Sequence, residues 1–299
     1  MIITLWVLFT LASFAVILGY NVRQKLSLAT QLTQRDEARF ISQANIKLAI
    51  NEIKNKKESD FVSPQSEDLD GINNKYDIFD EEAKININRA SMPVLKRLFR
   101  VLLGYGDIET QELAAAIVDW RDKDSMLSIP LGSAEDFHYT GLRHPYECKD
   151  ADFDCLRELC LVKGMSPEIF ERVKDFVTVY GSGRVNINTA PREVLLALGL
   201  SDYLAGKIVA FRCGKDKKCG SKDDNYFSST SDIVILLANF CVLNEAQKIQ
   251  LESLAARDLT VESNYFMIRS AVEFRQRQNP YQATCVVDTS GKILYWEEF

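Results

Sequence analysis

Lys84-Ile85-Asn86-Ile87-Asn88-Arg89-Ala90 returns a hundred positions later as Arg184-Val185-Asn186-Ile187-Asn188-Thr189-Ala190. The tails agree as well, Val94-Leu95 and Leu98 answering to Val194-Leu195 and Leu198. Each copy alternates apolar and polar residues for about five positions and then takes up helical spacing, a strand entering a helix. Asn88, or the residue after it, stands where it can cap that helix, with Pro93 and Pro191 near the first turn. Two copies are too few for a solenoid, which needs at least about three. The pattern predicts two related helical units inside one domain.

Upstream of the first copy, Lys75 to Asn88 alternates, and Tyr76, Ile78, Ala83, Ile85 and Ile87 share a face of one or two strands. Glu58 to Asn74 is polar, carries Pro64 and Gly71, and reads as loop. Downstream, helices are expected over Met92–Leu103 and Thr110–Trp120. An acidic loop with two short helices fills Arg121 to Tyr180. The second copy spans Arg184–Leu198 and leads through a helix at Asp202–Arg212 into further helical patterns ending near Arg257. At Asn264 the character changes. Tyr265–Phe274 reads as a strand, and Thr284–Val287 and Lys292–Trp296 flank Asp288-Thr289-Ser290-Gly291 as a hairpin. A helical block interrupting a sheet predicts an inserted domain.

At the other end, no residue from Ile2 to Val22 is charged. About 20 apolar residues in a helix span the hydrocarbon layer. A signal peptide would show a shorter apolar core, a basic start and a small-residue cleavage site. The stretch has none of these, and a membrane anchor is expected. Helical spacing continues through Leu26, Ala29, Leu32, Ala38, Ile41, Leu48 and Ile53, with no Pro or Gly from Asn21 to Asp60. One helix of about 50 residues, about 75 Å long, is expected. Its second half is amphipathic and should lie against a folded domain. Arg23, Lys25, Arg35 and Arg39 follow the span and, by charge counting alone, would hold the body in the cytoplasm.

The chain has 299 residues, 46% hydrophobic and 26% charged, an ordinary globular composition with room for more than one folding unit. Its net charge of −6 disfavours nucleic acid, whose binding rests largely on phosphate neutralisation. The acid is concentrated: Asp107 to Glu158 holds 13 Asp/Glu against 5 Lys/Arg.

Several features, in this order, resemble the GspK family, the large minor pseudopilins of bacterial type II secretion systems. They are the apolar N-terminal helix, the doubled Asn-x-Asn-x-Ala units, Asp119-Trp120-Arg121-Asp122-Lys123-Asp124, Gly132-Ser133-Ala134-Glu135-Asp136 and Glu158-Leu159-Cys160-Leu161-Val162-Lys163-Gly164-Met165. The resemblance covers nearly the whole chain. It implies an α+β, pilin-like fold: a long N-terminal transmembrane helix (1–59) packed on a small antiparallel sheet (60–88 and 259–299), with a large all-helical insertion domain (89–258). It implies a single-pass protein of the bacterial inner membrane, anchored through residues 2–22, with its soluble head in the periplasm, against the charge count. Family members are made with a short basic leader ending in Gly. The sequence is expected to begin after that leader, which accounts for the misleading charges.

Other pilins carry a Glu near the start of the helix that pairs with the neighbouring subunit's amine, and the GspK family usually lacks it. Here no acidic residue precedes Asp36. A carboxylate inside a bilayer persists only with a partner, and a subunit at the top of a fibre has none above it. Head-to-tail stacking also continues unless something blocks the next addition, and a bulky insertion supplies that block. The implied function is a minor pseudopilin that joins minor pseudopilins I and J in the tip complex initiating or capping the pseudopilus.

The resemblance also implies calcium in the inserted domain. Asp122 and Asp124, with Glu135 and Asp136 eleven positions on, put four carboxylates near one loop, with Asp119 behind them. Calcium takes six to eight oxygen ligands, mostly carboxylates and carbonyls. Asp216 with Asp223 and Asp224 forms a second candidate, weakened by four Lys in the same loop. Seven cysteines fit an oxidising compartment. Cys213 and Cys219 can close a small loop, Cys148 can pair with Cys155 or Cys160, and Cys241 and Cys285 are candidates to stay free. Spacing alone does not fix connectivity. A zinc set of His138, His144, Cys148 and Cys155 matches no familiar zinc spacing.

Catalysis finds little material. There is no Gly-x-Ser-x-Gly elbow, no phosphate loop, and the two His lie in one polar loop, so an enzyme is not expected. The rival reading is a helix-hairpin-helix DNA-binding protein of a DNA-uptake apparatus, suggested by the second copy leading to Ala205-x-x-Ile208-x-x-Phe211-Arg212. Its hairpin, Leu198-Gly199-Leu200-Ser201-Asp202, has a single Gly and an Asp where a phosphate would sit. The repeat's Asn side chains are therefore expected to cap helices and fix turns.

Overall fold

The computed structural model describes residues 1–55, 65–69, 72–130, 132–221, 223–274 and 280–299. Helix α1 (Ile2–Asn55) is solvent-exposed along its first two-thirds, and from Ala38 onward it buries Ser42, Asn45, Ile46, Ala49 and Ile53. Those positions recur every three or four residues, one face of a helix. The expected helix reaches residue 59, and 56–59 lie outside the described residues.

Strands β1 (Gln65–Leu69) and β2 (Ile72–Asp80) follow as an antiparallel pair. They fall partly within the stretch read as loop, which is corrected here for 65–69 and 72–74; the rest of Glu58–Gly71, including Pro64 and Gly71, lies outside the described residues. Gln65–Leu69 has no apolar alternation to betray it. An edge strand needs only its backbone hydrogen bonds to a neighbour.

The alternation running on from Lys75 to Asn88 is also two strands in two different sheets. A 3-10 turn at Glu81–Ala83 separates β2 from β3 (Ile85–Asn86). Then come α2 (Met92–Leu103), α3 (Asp107–Arg121), α4 (Asp136–Thr140), α5 (Pro167–Val173), β4 (Val177–Thr178), β5 (Val185–Asn186), α6 (Arg192–Ala197) and α7 (Asp202–Arg212). The chain closes with α8 (Ile233–Phe240), α9 (Glu245–Arg257), β6 (Leu259–Thr260), β7 (Tyr265–Phe274), β8 (Tyr281–Asp288) and β9 (Ile293–Glu298).

The main sheet has the order β1-β2-β7-β8-β9, antiparallel throughout. Phe266, Ile268, Val272, Tyr281, Ala283, Cys285 and Val287 point from β7 and β8 into one core with Ala38, Ile46, Ala49 and Ile53 of α1. Asp80 at the end of β2 pairs with Phe266 near the start of β7. The chain thus leaves the sheet and returns to it at one point, and everything between is an insertion. Ile85, Ile87 and Leu259 belong to the insertion's own, larger core. The sheet therefore stops at Asp80 and resumes at Tyr265, inside the expected limits of 88 and 259.

The insertion is mostly helical but not wholly so. Its two units are each tied by a short parallel pair, β3 with β4 and β5 with β6. The paired Asn residues do this tying rather than capping. Asn86 Oδ1 accepts from Asn88 N at 2.8 Å, and Asn186 Oδ1 from Asn188 N at 2.9 Å, the same tight turn twice. Asn88 donates to Phe153 O and accepts from Phe153 N; Asn188 does the same with Phe227. Each turn is clamped by an arginine: Arg121 donates to Ile87 O and Ala90 O, Arg212 to Ile187 O and Ala190 O. The helix caps lie further on, at Ser91 and Pro191, and neither makes a side-chain cap bond. The expected capping role is thus corrected, while the turn-fixing role stands.

Candidate metal centre

Helix α3 buries Leu113 to Ile117 and Trp120, which carries Asp119 into the interior at 0% exposure. Both Asp119 oxygens accept from Ser128 N, at 3.1 and 3.3 Å. Asp122 ends the helix, and Glu135, 6% exposed, stands at the N-cap of α4. The segment after α4 returns to the same place, fixed by a hydrogen bond of 3.2 Å from Asp150 N to Trp120 O. Ligand atoms of Glu135, Cys148 and Asp150 lie within 4.8 Å of one another.

Two oxygens here, Asp122 Oδ1 and Glu135 Oε1, are buried without a hydrogen-bond partner among the described residues. A buried carboxylate oxygen left unpaired is costly. Burial, then the charges of Asp119 and Asp122, push the Glu135 carboxyl up to about 7 against a hydrogen bond from Cys148. Burial followed by Asp124 and Asp119 raises Asp122 as well. Carboxylates that disfavour each other's ionisation in this way are what a bound dication would relieve.

The sequence-predicted ligands divide. Glu135 belongs to the cluster and Asp122 acts on it through its charge, while Asp124 and Asp136 serve the backbone: Asp124 Oδ1 accepts from Met126 N at 2.9 Å, Asp136 Oδ1 from Cys148 N at 2.7 Å. Asp150 and Cys148 take their places. Asp150 belongs to the same acidic stretch but lies 26 positions beyond Asp124, and only the return of the chain brings it in.

Asp216, Asp223 and Asp224 do meet in one loop. Their oxygens accept from that loop's own amides: Asp216 from Lys218 N, Asp223 from Lys215 N and Asp216 N, Asp224 from Gly220 N. The Ser221 hydroxyl and these amides hold Asp223 below the usual carboxylate range. The Cys213–Cys219 disulfide closes the same loop. The other expected pairing fails, since Cys148, Cys155 and Cys160 are free thiols. Cys148 is buried beside Glu135, whereas Cys155 faces a cleft of about 640 Å³ between the sheet and the insertion. Neither His138 nor His144 joins Cys148 in a ligand cluster among the described residues. At the supposed phosphate hairpin, Ser201 already accepts from Leu204 N and Asp202 pairs with Arg192.

Helix α1 is long and apolar enough to cross a membrane, and none of its apolar stretch is buried. Residues 68–182 match the family model described as type II secretion system (T2SS), protein K. That stretch is similar to a protein K domain. It takes in β2, the first Asn-x-Asn unit through β4, and every residue of the metal centre. A type II secretion system protein K of Aeromonas hydrophila is 36% identical over 114 residues, 36% of this chain and 34% of that protein. The chain is thus matched over about a third of that relative's length. In three dimensions it is similar to a chain of the GspK-GspI-GspJ complex from the enterotoxigenic Escherichia coli type 2 secretion system. The TM-score is 0.68 at 19% identity, covering 91% of this chain and 99% of that one. The shared fold is the pilin-like one with an inserted helical domain, and the stretch similar to protein K runs from the end of β1 through the first half of that insertion.

Proposed function

We propose that this chain is a minor pseudopilin of a type II protein secretion system, and that its work is assembly. It is anchored in the inner membrane through residues 2–22, holds its head in the periplasm, and joins minor pseudopilins I and J in the complex that initiates or caps the pseudopilus. The observation that carries this reading is the join at Asp80 and Phe266, where a pilin-type helix and sheet bear a protein K insertion as a separate globular mass. Stacking of like subunits needs a free upper surface, and a mass of this size on the head obstructs it. Leu26, Leu28, Leu32, Phe40 and Leu48 of α1 stay exposed, an apolar surface suited to neighbouring helices. Co-purification of the full chain with the two partner pseudopilins tests the proposal. A stable ternary complex is expected, and a head that stays monomeric in their presence overturns it.

The metal centre is read as a divalent-cation site that stiffens the head, with calcium the occupant the family resemblance implies. The unpartnered oxygens of Asp122 and Glu135, with Asp119 and Asp150 beside them, fit a cation's donors. Calorimetry should show calcium binding that an Asp122→Ala/Glu135→Ala variant loses; no heat in either protein removes the site.

A further inference from the structure

Cys148 is the one sulfur among the centre's donors. Its ligand atom lies within 4.8 Å of those of Glu135 and Asp150, and the side chain is buried. Glu135, only 6% exposed, keeps Oε1 without a hydrogen-bond partner among the described residues. Cys213 and Cys219 are joined, yet Cys148 stays a free thiol.

Donors around a tetrahedral ion, with Zn–S about 2.3 Å and Zn–O about 2.1 Å, stand about 3.5 Å from one another. A set already within 4.8 Å closes onto such an ion by small side-chain rotations. Calcium bonds through oxygen and gains nothing from sulfur, whereas borderline dications of the zinc class favour a thiolate. We infer that Cys148 is a ligand of this centre together with Glu135 and Asp150, and that its sulfur makes the centre hold a zinc-class dication more tightly than calcium. On binding, the sulfur's electron pair goes to the metal and its proton to solvent; nothing is oxidised. The inference rests on the cation-site reading above and changes what fills the site.

The test uses the full chain in detergent, stripped with a chelator, with calcium, zinc and cadmium ions as probes. Cys155, Cys160 and Cys241 are replaced by Ser so that they do not compete. Zinc should bind at least about tenfold more tightly than calcium, and X-ray absorption of the zinc-loaded protein should show one sulfur at about 2.3 Å. Cadmium should raise a sulfur-to-metal charge-transfer band. A further Cys148→Ser substitution should abolish both sulfur signatures and weaken zinc by about tenfold or more. The spectra of the Cys148-containing protein decide the question even if that variant folds poorly. Calcium bound as tightly as zinc, with no sulfur in the metal's shell, overturns the inference and leaves the cation reading standing. No ion bound at all removes both.

Discussion

Asn45, midway along α1, and Asn74, on β2, exchange two hydrogen bonds across the buried face between helix and sheet. Asn45 Nδ2 donates to Asn74 Oδ1 at 2.5 Å, and Asn74 Nδ2 returns a bond of 3.1 Å to Asn45 Oδ1. Asn45 Nδ2 also reaches Ser270 Oγ at 2.8 Å. The apolar neighbours Ala38, Ile46 and Ala49 pack against the sheet without specifying which turn of the helix meets which strand. A polar contact with one satisfying partner does specify it, as a buried Asn sets register in coiled coils.

Asn45→Ala should therefore cost about 2 kcal/mol, the size of a buried polar group left unsatisfied. Adding Asn74→Ala to it should cost much less than the two single changes summed, because the orphan has been removed. Urea unfolding of the detergent-solubilised chain measures all three. Strictly additive costs would mean the pair does not act as a unit.

The two arginine clamps make a matched comparison. Arg212, 8% exposed, donates through Nη1 to Ile187 O and Ala190 O, both at 2.8 Å. Burial pushes its pKa down to about 10, so it stays charged at neutral pH. Lysine carries its charge on a shorter side chain, lacks the planar guanidinium that packs at this buried position, and does not set a nitrogen between both carbonyls in the same way. Arg212→Lys should lose about 2 kcal/mol, and Arg121→Lys, at the more open copy, somewhat less. Thermal unfolding that ranks them the other way would deny that burial sets the strength of the clamp.

The repeat that marks these clamps is legible in the sequence because its cues are local. Alternation, helical spacing and the flanking prolines place α2, α7 and β7 at the limits expected of them. The partners of the repeat are not local. Phe153 and Phe227 bond Asn88 and Asn188 through main-chain groups, which any residue type supplies. The same limit governs the metal centre. From spacing, Asp124 and Asp136 look equivalent to Asp122 and Glu135, yet each has a backbone amide that claims it. Asp119 lies on α3 and Asp122 is the extended residue that ends it, so their spacing alone does not set how the two carboxylates face the site. In sequence Cys148 reads as half of a disulfide or as part of a zinc set with His138, His144 and Cys155, whereas the groups that surround it, Glu135 and Asp150, are brought in by the fold.

Asp80 ties the sheet to the second unit. Its Oδ2 accepts from Ser263 Oγ at 2.6 Å, Asn186 Nδ2 at 3.1 Å and Thr189 Oγ1, and Oδ1 accepts from Glu82 N at 2.7 Å. Burial outweighs these bonds and raises its pKa above the ordinary 3.8. A carboxyl with a raised folded pKa holds its proton more tightly in the folded state. Its ionisation penalty thus appears as pH rises through the unfolded value and is complete above the folded one. Glu82 is raised too, by burial and then by the Asp80 charge, after a hydrogen bond from Asn264 N that opposes. The wild-type chain should therefore lose stability relative to Asp80→Asn as pH climbs through the ordinary carboxylate range and beyond it. Carboxylates shifted the other way, such as Asp288, affect both proteins alike and cancel. Unfolding curves whose separation stays constant with pH would count against the buried-charge account.

The Cys213–Cys219 disulfide should act on its loop and not on the clamp next to it. Cys213 follows Arg212 directly at the end of α7, so the two features share a turn of chain. The clamp, however, faces Ile187 and Ala190, while Asn225 secures the far side of the loop through bonds to Phe211 O and Arg212 O. Replacing both cysteines with serine frees a short loop in the unfolded chain and should cost about 2 kcal/mol. The amides of Lys215, Asp216 and Gly220, which donate to Asp223 and Asp224, should then exchange hydrogen faster. Amides within α7 should keep their protection, because Leu204, Ala205 and Ile208 remain in the core. Hydrogen exchange followed by mass spectrometry separates the two regions. Loosening of α7 itself would show that the disulfide supports the second unit as a whole rather than one surface loop.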